Sequence, residues 1–295
     1  MYFWSDIFHK KYIDTIKFET YSNAIILPVY INNKKYNFQF DTGASTIISK
    51  ELFSKLNLSI IDSEQAKDHY GNIGKMDFSM LPKLTIGKTE FTNIKVGILK
   101  PIQSFKSCGV KIDGYLGNDV LANGAIQIDI KNKKLLISNS IKSINVKNND
   151  SFDIELDFQK RPFLIVNFMG LNAYERVLFD TGSCNNIYKL EKKTFLGMLE
   201  NEHIKTNNII DTLESLNKGS GIFGKQNDDE NYYVNFDSIK VTGVKFYNFP
   251  AHTFNSGGSS ILGAEFLTLG KVSIDYKNKK IYFNQYKNKK NRFIL

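Results

Sequence analysis

The chain repeats itself, and the repeat limits what its 295 residues can fold into more than any other feature. An apolar run, Ile25-Ile26-Leu27-Pro28-Val29-Tyr30-Ile31, leads through a polar turn at Asn32 to Lys35 into Tyr36-Asn37-Phe38-Gln39-Phe40, and ends in Asp41-Thr42-Gly43-Ala44-Ser45. The same order recurs as Phe163-Leu164-Ile165-Val166-Asn167-Phe168, a turn near Gly170 to Asn172, then Glu175-Arg176-Val177-Leu178-Phe179 and Asp180-Thr181-Gly182-Ser183-Cys184. The two aspartates are 139 residues apart, with no gap needed through the preceding hairpin. Two further pairs follow. Gly114-Tyr115-Leu116-Gly117-Asn118-Asp119-Val120-Leu121 matches Ser260 to Leu267, and Ile128-Asp129-Ile130-Lys131-Asn132-Lys133-Lys134-Leu135-Leu136-Ile137 matches Ile274 to Phe283, both 146 residues on. The second unit has therefore gained seven residues between its first and second landmarks.

Each unit reads as strands with brief helix. The Ile128 and Ile274 segments are apolar on both sides of a Lys-Asn-Lys-Lys turn, as a hairpin requires. Lys50 to Leu56 and Tyr188 to Leu199 carry apolar residues at helical spacing and are expected as short helices. The polar stretch Lys142 to Ser151 is the natural linker. The expected fold class is all-β with short helices: an N-terminal segment 1–21, one lobe over 22–145 and a similar one over 146–295. A pseudo-two-fold axis would relate the lobes across a ligand cleft.

Composition trims the alternatives. With 42% hydrophobic and 23% charged residues the chain can build a packed core rather than stay disordered. The net charge of +9 raises a nucleic-acid partner, but the lysines sit in short runs (131–134, 277–280, 287–290) that read as solvated turns and tail, so none is expected. There is no 18-residue apolar run, so no membrane span is expected. Met1 to Lys11 lacks the apolar core of a signal peptide, which leaves a cytoplasmic protein or one whose leader has been removed. Cys108 and Cys184 are compatible with one bridge or two free thiols. The four histidines show no zinc spacing, and no metal or cofactor is expected. Gly219-Ser220-Gly221-Ile222-Phe223-Gly224 fits the dinucleotide-binding glycine pattern only formally, because no helical stripe follows it.

A single Asp-Thr-Gly is an ordinary turn: Asp caps, Gly supplies positive φ. Two copies, each after a strand ending in Phe and each followed about eighty residues later by an apolar-apolar-Gly segment, call for another explanation. A strand carries each carboxylate to the lobe surface and the glycine lets the backbone turn away. Thr42 and Thr181 can reach sideways across the boundary and lock the two loops. Two aspartates meeting on a pseudo-two-fold axis cannot both ionise easily, so the pair shares a proton. One member can then act as general base on a water while the other protonates a carbonyl.

These residues, Phe40-Asp41-Thr42-Gly43-Ala44-Ser45 and Phe179-Asp180-Thr181-Gly182-Ser183 with Leu116-Gly117 and Leu262-Gly263 in context, resemble the pepsin/retropepsin clan of aspartic peptidases over residues 22 to 285. The compact lobes and Ala44 are closest to the two-lobed retropepsin-like bacterial proteins. The resemblance implies catalytic Asp41 and Asp180, and loops supported by Thr42, Gly43, Thr181, Gly182 and Ser183. It also implies psi-shaped supports at Leu116, Gly117, Leu262 and Gly263. It implies a peptide or protein substrate, apolar side chains flanking the cut, and a monomer, since both aspartates are on one chain. Ser183 offers a hydroxyl beside its aspartate that Ala44 cannot, so the two aspartates are expected to be electrostatically unequal. Tyr70 and Gly71, and Gly219 and Gly221, are the candidate flap residues, with plain surface turns as the competing reading. Cys184 reads as a buried spectator. Two rival functions remain: a catalytically silent peptide-binding module that keeps the cleft, and a glycoside hydrolase, which would need its carboxylates held apart.

Overall fold

The computed structural model describes residues 6–7, 12–99, 106–146, 151–169, 173–204, 206–213, 221–224, 231–255, 258–287 and 293. Within them the protein is built of strands with few short helices, in two similar lobes. The first lobe carries a nine-stranded sheet and the second an eight-stranded one. Both contain the same four-strand centre. In the first lobe the strand Lys34–Phe40 lies beside Gly114–Leu116, then Ile47–Ser49, then Thr89–Leu99. In the second, Ala173–Asp180 lies beside Ile261–Gly263, then Tyr188–Glu191, then Val244–Phe254.

These centres are strands because their sequences are apolar on both faces. Ala24–Ile31 buries six of its eight residues, and Phe38, Phe40, Phe168, Phe179, Phe246 and Phe249 are almost wholly enclosed. Each such aromatic contributes roughly 1.5–3 kcal/mol by leaving water, which favours the strand pairing that buries it. One contiguous apolar cluster runs through both lobes, from Ile16 to Phe283.

The third repeated landmark does more than close each lobe. Ala125–Asp129 pairs with Lys134–Ser138, and Gly270–Asp275 with Lys280–Gln285. Asp129 and Asp275 each accept from the backbone N–H and side-chain amide of the asparagine three residues on, so both Lys-Asn-Lys-Lys stretches are capped turns. The hairpins then join each other, Ala125 opposite Asp275 and Ile128 opposite Val272, in one six-stranded sheet. Its outer strands are Ile13–Lys17 and Ser151–Asp153, so residues before the first repeat and just after the polar stretch 142–151 are built into it.

Lys50–Lys55 is a helix, capped by the Ser49 hydroxyl, which accepts from the Leu52 N–H. The second expected helix starts later than its apolar spacing suggests. Tyr188–Glu191 is a strand and the helix is Lys192–Glu200, with the Glu191 carboxylate accepting from Thr194 N–H. The reason is tertiary: Tyr188 and Lys189 pair with Leu262 and Ile261, and Lys189 to Glu191 with His252 to Phe254. Two strand partners outweigh a helical pattern. No helix among the described residues is long and apolar enough to cross a membrane.

Candidate active site

Both Asp-Thr-Gly loops leave the ends of paired strands and meet between the lobes. Asp41 follows Phe40, whose strand runs parallel to Gly114–Leu116, and its N–H donates to the Leu116 carbonyl at 3.0 Å. Asp180 ends its strand opposite Gly263, which is parallel to it. The segments after the apolar-Gly landmarks close beneath the loops in matching ways. Asn118 N–H donates to the Ala44 carbonyl, and Ala264 N–H to the Ser183 carbonyl.

The loops grip each other through their threonines. Thr42 Oγ1 donates to the Phe179 carbonyl (2.6 Å) and accepts from Thr181 N–H (3.0 Å). Thr181 Oγ1 donates to the Phe40 carbonyl (2.8 Å) and accepts from Thr42 N–H (3.1 Å). Both threonines are fully buried, so all four bonds are made away from water, where a polar group left unpaired is costly.

This grip presses each glycine against the opposite aspartate. A Cβ on Gly43 would sit 2.6 Å from Asp180 Cγ, and one on Gly182 would run into the Asp41 carboxyl. Each glycine N–H donates at 2.8 Å to the aspartate two residues before it. The carboxyls are in hydrogen-bond contact with each other at the floor of the cleft, each half-buried. Burial first, then the charge and hydrogen bond of Asp180, push Asp41 well above the usual carboxylate range. The Gly43 N–H and the Arg161 guanidinium pull the other way. Two carboxyls this close hold a proton between them more readily than a lone carboxyl would.

Around this centre the lobes differ. Thr46 donates its N–H and hydroxyl to Asp119, while Asn118 bonds the Thr42 carbonyl and accepts from Tyr276 Oη. In the second lobe the corresponding ties are backbone bonds, Gly263 N–H to the Ile187 carbonyl and Glu265 N–H to the Asn186 carbonyl. Burial pushes Asp119 up to about 6 despite its bonds from Thr46.

Tyr70 and Gly71 lie in the turn between the strands Ile60–Lys67 and Ile73–Ile86. Asp68 organises it, accepting from the N–H groups of Tyr70 and Asn72. Its other oxygen accepts from Phe223 N–H of the second lobe, and the Gly221 N–H closes a turn onto the Gly224 carbonyl beside it. Gly74 lies against the Phe223 ring. Turns from both lobes therefore touch. Gly219 lies outside the described residues. The Tyr70 ring packs edge-on to Phe254, and its hydroxyl is 3.4 Å from Lys189 Nζ.

Three features sharpen or correct the sequence reading. Of the two states left open for the cysteines, Cys108 and Cys184 form the disulfide, so Cys184 is a bonded tie between the lobes and not a spectator. Gln39, fully buried two residues before Asp41, donates across the boundary to the Gly182 carbonyl at 3.1 Å. Its place on the strand alternation would have flagged it, since a polar residue there points where Leu178 points in the repeat. Lys189 is buried against Phe254 and Tyr70, in a segment expected to be helical.

The comparisons with known proteins fit this geometry. Residues 27–120 match the aspartyl protease family model. The crystal structure of basic 7S globulin from soybean superposes with a TM-score of 0.52 over 93% of this chain and 94% of that one, at 9% identity, which shows a common fold. A retropepsin-like aspartic protease from Rickettsia conorii aligns at 24% identity over 47% of this chain and 96% of its own, with a TM-score of 0.34. No curated protein sequence matches the chain.

Proposed function

We propose that this chain is an aspartic endopeptidase whose two catalytic carboxylates are Asp41 and Asp180. The observation that carries the reading is their mutual contact, with each carboxyl also held by a glycine N–H of its own loop. Like charges in contact cannot both ionise, so the pair takes up one proton. The ionised member of the pair takes a proton from the attacking water, while its protonated partner gives its own to the scissile carbonyl. The tetrahedral intermediate then collapses to two peptides, without an acyl-enzyme.

The threonine grip fixes the distance between the carboxyls, and Leu116-Gly117 and Leu262-Gly263 hold the loops from below. Tyr70 and Gly71, with Gly221 facing them, serve as the flap over a bound peptide. Contact between the carboxyls speaks against a glycoside hydrolase, which needs room for a sugar between them. A peptide library incubated with the chain between pH 3 and 7, read by mass spectrometry, tests the proposal. Cleavage lost in both Asp41→Asn and Asp180→Asn and blocked by a statine-type inhibitor is the expected result. Cleavage that persists in both variants would refute it, and inhibitor binding without cleavage by the unmodified chain would point to the silent peptide-binding module.

A further inference from the structure

The lobes place different chemistry at one equivalent pair of positions. In the first, Ile47 pairs with Tyr115 of the support strand and with Gly97 of the next strand out. In the second, Lys189 pairs with Ile261, which corresponds to Tyr115, and with His252, which corresponds to Gly97. An apolar pair on one side of the cleft is thus a basic pair on the other.

Lys189 is 8% exposed and makes no ion pair among the described residues. Its ammonium lies 4.7 Å from the centre of the Phe254 ring and 5.4 Å from that of Tyr70, with the Tyr70 hydroxyl at 3.4 Å. His69, stacked on Tyr70, and Asp180 both lie within its electrostatic reach. Rings and one hydroxyl compensate only part of an ammonium's lost hydration, and buried charges are ordinarily paired. The cation is therefore held at the cleft, beside the proposed catalytic Asp180 and under the turn proposed to close, lacking a counter-charge in contact.

We propose that Lys189 binds an acidic side chain of the substrate, an aspartate or glutamate close to the cut bond. The inference rests on the peptidase reading and names a substrate feature for it. Desolvation lowers Lys189 to about 8 and His252 to about 4, so between those values the lysine is charged and that histidine is not. Asp180 acts on that charge through space without forming an ion pair, so a carboxylate brought into contact with the lysine has a charge to meet. Without the lysine, the charge of the aspartate pair would repel that carboxylate, so acidic and neutral peptides should part company sharply at this position.

The test uses the full chain and statine-containing peptides blocked at both ends, in pairs carrying Glu or Gln at each of the two positions on either side of the statine. Calorimetry at about pH 5 reads their affinities. At one position the Glu peptide should bind roughly tenfold to a hundredfold more tightly than its Gln partner, as for a charge-assisted hydrogen bond. That ratio should fall to about one in Lys189→Met and persist in Lys189→Arg, with thermal melting confirming that both variants fold. Equal affinities at every position in the unmodified chain, or a ratio that survives Lys189→Met, would overturn the inference and leave the peptidase reading standing. So would a change in the pH profile alone, since a lysine that only steadied the charge on Asp180 would give it. A further Gln peptide left unblocked at its C-terminus serves as control: if it alone binds more tightly than the blocked peptides, the lysine holds chain ends and the side-chain proposal is overturned. Failure of every statine peptide to bind, with no library peptide cleaved, would instead sink the peptidase reading and this inference with it.

Discussion

The two Asp-Thr-Gly loops are alike in what they do to each other and unlike in what stands behind them. Toward the axis, the four threonine bonds and the two glycine bonds to carboxylate are the same from either side. Behind it, the first loop leans on the side chains of Asp119, Asn118 and Tyr276, and the second on backbone bonds and a disulfide. The second loop is also longer: five residues lie between Asp41 and Ile47, eight between Asp180 and Lys189. Symmetry is kept where two carboxyls must meet and dropped where nothing requires it. The unlike parts are therefore where electrostatic and substrate differences can be placed.

The largest expected effect breaks the symmetric part. Asp41→Asn and Asp180→Asn should each lower the rate of peptide cleavage by about a hundredfold to ten-thousandfold, the span of one lost acid or base, measured on a single fluorogenic peptide. Next comes the tie found on one side only. Replacing both cysteines by serine, Cys108→Ser with Cys184→Ser, should cost about 2–4 kcal/mol in denaturant unfolding, because the bridge closes a long loop of chain. The threonines sharpen the comparison: Thr42→Ala and Thr181→Ala should each cost roughly 1–3 kcal/mol and match each other closely. A large inequality there would mean the grip is symmetric in shape but not in energy.

The smallest effect concerns pH. Asp119 titrates near 6 in the folded chain and near 4 in an unfolded one. A raised carboxyl stabilises fully below its unfolded value, and that contribution is lost as pH rises through the folded value. Between pH 4 and 7 the unmodified chain should therefore lose about 2 kcal/mol that Asp119→Asn does not lose, read as the difference between two unfolding series.

Much of this was legible in the sequence because the repeat is ungapped where it matters. Strand, Asp-Thr-Gly and apolar-Gly landmarks fix which residues face the axis, and the carboxyl contact follows from their doubling. What could not be read depends on residues far apart in sequence meeting. The bridge joins a turn of one lobe to the Asp-Thr-Gly loop of the other, and two cysteines alone cannot say whether they touch. The Tyr188 segment shows helical spacing, yet its strand partners lie some sixty to seventy residues downstream. Lys189 looked like one lysine among many until that strand turned it inward.

The shared six-stranded sheet sets an order of events in the life of the chain. Its strands Ala125–Asp129 and Gly270–Asp275 are neighbours in space, so the edge of the first hairpin stays open until the segment through Asp275, some 146 residues on, has left the ribosome. Pairings of such sequence separation are slow to form, and an unpaired edge invites another chain. A polypeptide halted shortly before residue 270 should hold both Asp-Thr-Gly segments but lack Tyr276, and should present a sticky border. Synthesis of the segment through Tyr276 then both seals the shared sheet and protects the molecule from its own copies.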